Sequence, residues 1–94
     1  MGNSVVIQIG NSDNKLTQST WAHYIAYMRS TIEGNVFRVH FQGGSDYDVP
    51  WQNACWVCEI TPDQIEPLRE AVTKCRKQFN QDSAAIIFGE TEFI

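Results

Sequence analysis

Apolar and polar positions along the chain switch between strand and helix periods four times, and each switch marks the start of an element. Val5-Val6-Ile7-Gln8-Ile9 is a short apolar run that stops at Gly10-Asn11-Ser12-Asp13-Asn14, a cluster of turn-forming residues. It predicts a strand over 4–9. Trp21, Ile25, Met28 and Ile32 then recur at spacings of four, three and four, the single face of a helix over 18–33. Thr17 or Ser19 can cap its start, and Gly34 suits a left-handed stop. Strict alternation from Val36 to Gln42 predicts a second strand, with Phe37, Val39 and Phe41 inward and Arg38, His40 and Gln42 outward.

After a turn-rich stretch from Gly43 to Pro50, Asn53 to Ile60 reads as a third strand. Thr61-Pro62-Asp63-Gln64 supplies a cap, a first-turn proline and a capping-box glutamine. Pro67 opposes an unbroken helix through that point, so a short turn at 62–65 ahead of the main helix is an equal alternative. Ile65, Leu68, Val72, Cys75 and Phe79 carry the helical stripe, and Ala84 to Gly89 gives a fourth strand. The order β-α-β-β-α-β, joined by short right-handed connections, predicts a single α+β domain over 1–94. Its expected fold is a ferredoxin-like sandwich: an antiparallel sheet of order 4-1-3-2, two helices on one face, the other face open.

That wiring gathers three polar connections at one end of the sheet: 10–18, 42–53 and 80–83. Loops on a rigid scaffold commonly carry binding residues. The expected site takes Asn11, Ser12, Asp13 and Lys15 from the first loop, Trp51, Gln52 and Asn53 from the second, and Asp82 from the third. The helix N-terminus with Asn11, Ser12 and Lys15 would meet an anionic group, Trp51 would stack, and the amides and Asp82 would hydrogen-bond. Ordinary turns use the same residue types, so the composition of these loops does not decide the matter. The open face, carrying Val6, Gln8, Arg38, His40, Gln42, Cys55, Val57 and Ile87, is expected to form a homodimer.

Charge removes one class of partner. Eleven acidic residues outnumber seven basic ones, and no Lys or Arg falls between Arg38 and Arg69. A basic face to neutralise phosphates is missing, so no nucleic-acid binding is expected. The acidic stretch Asp46, Asp48, Glu59, Asp63 and Glu66 keeps a second reading open, an inhibitor or immunity or anti-defence factor directed at a basic protein. No apolar run approaches the length of a membrane span, and no leader-like segment opens the chain, so no membrane partner and a cytoplasmic location are expected.

Cys55-x-x-Cys58 looks like a metal or redox motif, but residues three apart on a strand point to opposite faces, and no second Cys/His pair completes a zinc set. Neither a metal nor a cofactor is expected. His40 and Cys55 are the candidates for a third reading, a small enzyme with a Cys–His nucleophile oriented by Asp46 or Asp48. A histidine on a sheet face is more often only a polar neighbour.

Four segments also resemble, as a set, a group of small proteins of actinobacteria and their phages: 7–18 (IQIGNSDNKLTQ), 50–56 (PWQNACW), 81–84 (QDSA) and 91–94 (TEFI). The resemblance spans most of the chain. It implies a standalone bacterial or phage accessory protein and assigns no activity, cofactor or catalytic residue.

Overall fold

The computed structural model describes residues 2–11, 15–45 and 52–94. They form β1 (Gly2–Gly10), α1 (Gln18–Glu33), β2 (Arg38–Gly44), β3 (Asn53–Ile60), a short 3-10 turn (Pro62–Gln64), α2 (Ile65–Gln78) and β4 (Ala85–Thr91). The strands make one antiparallel sheet in the order β2-β3-β1-β4, so the α+β sandwich is the expected one. Both helices lie on one face. Val5, Ile7 and Ile9 of β1 and Ala54, Trp56, Cys58 and Ile60 of β3 pack there against Trp21, Tyr24, Met28 and Ile32 of α1 and Leu68, Val72 and Cys75 of α2.

The helix ends follow local chemistry. Thr17 Oγ1 accepts from Thr20 N at 3.2 Å and caps α1. At its other end Gly34 is right-handed (φ −77°), contrary to the expected left-handed stop; the Asn35 amide instead donates to Thr31 O at 2.8 Å and closes the last turn. At the start of α2, Gln64 Oε1 reaches back to Thr61 N at 3.0 Å. The separate turn before α2 is the realised alternative, and it places Pro67 in the first turn, where no intrahelical N–H is needed. α2 ends in a left-handed Asn80 (φ 57°), with Asn80 N bonded to Lys77 O and Gln81 N to Arg76 O. This paired arrangement satisfies the terminal carbonyls, and asparagine tolerates the left-handed region better than most residues.

One strand departs from the alternation. Val39 pairs with Cys58 but Phe41 with Val57, so His40 is an extra residue in a bulge. The bulge reverses the facing of everything after it. Phe41 turns to the open face, 55% exposed, and Gln42 turns to the helix side, correcting the expectation for both. Phe37, expected inward, precedes β2 and is 58% exposed. The physical reason lies in Trp56, which is fully buried and whose indole N–H needs an acceptor. Gln42 Oε1 accepts it at 2.9 Å and also takes Arg29 Nη1 at 2.8 Å.

Candidate functional site

The described ends of the three polar connections lie at one end of the sheet, and a network of side-chain amides joins those of the first two. Asn11, 3% exposed, is its centre. Its Nδ2 donates to Leu16 O at 3.0 Å and to Gln52 Oε1 at 2.9 Å, while its Oδ1 accepts from Leu16 N at 3.0 Å. The Asn11 backbone N–H donates to Gln52 O at 2.8 Å, continuing the β1–β3 ladder by one rung. Gln52 in turn exchanges two amide bonds with Gln18 on the first turn of α1, at 2.8 and 3.0 Å. The first loop is thereby clamped to the end of the second and to the helix that follows it.

The third loop joins through an ion pair, Lys15 Nζ to Asp82 Oδ2 at 3.0 Å. Both ends are exposed, so the pair contributes about 1 kcal/mol at most and its partners can be exchanged. Behind Asp82, Gln81 is 7% exposed and its Nε2 donates to Phe79 O at 3.2 Å; Arg76 Nη1 donates to Gln81 O at 3.0 Å. Asn53 has an exposed side chain, and its backbone closes the β2–β3 hairpin with Ser45.

Of the residues expected to bind, Asn11, Lys15, Gln52, Asn53 and Asp82 therefore share this end, while Ser12, Asp13 and Trp51 lie outside the described residues. Asn11 and Gln52 spend their amides on partners within the chain. Their observed part is positioning, and Lys15, Asn53 and Asp82 present exposed polar groups. Gln18 is the member of the network that periodicity missed. Its position, one residue after the capping threonine, was the available signal.

The Cys–His arrangement does not assemble. His40 Nε2 lies 3.3 Å from Glu59 Oε1, whereas Cys55 sits opposite Gly43 and Gln8, farther along the sheet. Asp46 and Asp48, either of which was expected to orient the imidazole, lie outside the described residues. Cys55 and Cys58 occupy opposite faces, as the strand geometry required, and burial pushes the Cys58 thiol up to about 11. Among the described residues no group of three metal-ligating side chains forms. The acidic stretch is dispersed: Glu59 is with His40, Glu66 pairs with Arg69, and Asp63 accepts from the Thr61 hydroxyl. No helix among the described residues is long and apolar enough to cross a membrane.

No protein-family profile matches the chain, and no curated protein sequence does. Likeness is found in fold. A hydroxynitrile lyase from Passiflora edulis superposes with a TM-score of 0.59 over 99% of this chain and 97% of that one, at 10% identity. At that identity the match supports the α+β architecture and transfers no residue and no reaction.

Proposed function

We propose that this protein is a non-enzymatic binding module whose loop-rich end takes a small polar or anionic ligand, nucleotide-like compounds included, in a bacterial or phage accessory role. The observation that carries the reading is the amide clamp Asn11–Leu16–Gln52–Gln18. It fixes Asn11, Leu16, Gln18 and Gln52 to one another and leaves the exposed side chains of Lys15, Asn53 and Asp82 outside the network. Side chains carried on an already ordered frame bind with less ordering cost. Lys15 supplies a cation to this rim, and an incoming anion would replace the Asp82 carboxylate on its ammonium. Asn53 and Ser12 would add polar contacts, Asp13 and Asp82 would accept hydrogen bonds, and Trp51 would stack on a planar ligand. The likeness in fold to a lyase adds no chemistry to this rim, and the separation of His40 from Cys55 gives the enzymatic reading no assembled nucleophile.

A thermal-shift screen against nucleotides and anionic metabolites tests the proposal. The expected result is a rise in melting temperature with at least one compound, abolished in Lys15→Ala and Trp51→Ala. A flat screen across nucleotides, sugar phosphates and dicarboxylates refutes it.

A further inference from the structure

The register places four apolar residues in one row across the open face. Phe41 pairs with Val57, Val57 with Val6, and Val6 with Ile87, one residue from each strand. Phe41 and Ile87 at the ends of the row are 55% and 53% exposed. On one side of it lie Gly43, Cys55, Gln8 and Ala85, and on the other Arg38, Glu59, Ser4 and Gly89. A Cβ on Gly43 would fall 2.6 Å from the Phe41 ring, so glycine lets that ring lie along the sheet and keeps the face shallow.

We infer that this face is covered in solution by a second copy of the chain. A half-turn about the apolar row lays it on itself and brings the small row of one copy over the polar row of the other. Gly43 and Cys55 then meet Arg38 and Glu59, large against small. Charge does not oppose the contact there: Arg38 stands opposite Glu59, and Glu59 also contacts His40, so this corner carries both signs. The Ser4 and Thr91 hydroxyls satisfy one another on the same face. Four strands at about 4.8 Å spacing and seven to nine residues at about 3.4 Å give a footprint near 500 Å². Two copies would bury about 1,000 Å² or more with side-chain relief, the lower bound for a specific dimer. The β2 edge offers a poorer route to pairing, because it is bulged at His40.

Light scattering coupled to gel filtration reads the outcome. The expected mass is twice the 10.7 kDa of one chain, falling to one chain in Ile87→Glu, whose side chain is half exposed in a single copy and need not unfold it. Phe41→Ser is the second variant should the first misfold by circular dichroism. Thiol labelling locates the contact: Cys55 is the cysteine not buried in a single copy. Its labelling should slow as wild-type concentration rises and stay fast in Ile87→Glu. A monomer up to millimolar concentration overturns the inference. So does a dimer that survives both substitutions, or one in which Cys55 labels freely.

Discussion

Replacing Asn11 with alanine separates a clamp from a ligand contact. The substitution removes three side-chain hydrogen bonds, two of them to the backbone of Leu16, which is 8% exposed. Each net bond is worth about 1 kcal/mol, and a buried amide left unmet adds to the loss, so Asn11→Ala should destabilise the ligand-free protein by about 3–4 kcal/mol. In a domain of this size that lowers the melting temperature by well over ~10 °C. Urea unfolding followed by tryptophan fluorescence measures it, with the slope unchanged if only the native state is affected. Asn53→Ala, at the same end but exposed, is the control and should stay within about 0.5 kcal/mol of wild type. Asn11→Asp should fall between wild type and alanine. It keeps the acceptor for Leu16 N but sets a carboxylate against Leu16 O and Gln52 Oε1. A loss below about 0.5 kcal/mol for Asn11→Ala would refute the clamp and leave Asn11 as an ordinary loop residue.

Two further predictions concern the core. The Tyr24 hydroxyl is fully buried and has no hydrogen-bond partner among the described residues, while its ring stacks on Phe79 at 4.9 Å. Tyr24→Phe keeps the stack and removes the orphaned group, so it should leave stability unchanged or raise it by about 1–2 kcal/mol; a loss above 1 kcal/mol would show that the hydroxyl has a partner. Burial also raises the Cys58 thiol to about 11 and the Tyr24 phenol to about 12. The unfolded chain ionises these groups first, at about 9 and 10, and so binds fewer protons than the native state above those values. Their contribution is complete below pH 9 and is lost as pH rises through 9–11 for Cys58 and 10–12 for Tyr24. Urea midpoints should fall across that range, and less steeply in Cys58→Ala; equal slopes in both proteins would contradict the assignment.

The elements and their wiring were legible because each rests on a local signal. Four-three-four spacing laid out α1 over its observed length, turn residues bounded the strands, and Gln64 three residues after Thr61 announced the start of the second helical segment. The meeting of three loops at one end followed from strand direction alone. What the sequence could not reveal was the side of the sheet taken by Phe41 and Gln42. Alternation continues through His40 in the sequence, and only the contest for a hydrogen-bond acceptor beside the buried Trp56 turns the strand over. The same limit applies at the rim: Asn11 reads as turn chemistry in the chain. Whether its amide points to solvent or into the protein is decided by where Leu16 and Gln52 arrive, a matter of positions five and forty-one residues away. Periodicity encodes which face an element buries; the partners of individual polar atoms, and the bulge that serves one of them, exist only once the layers have packed.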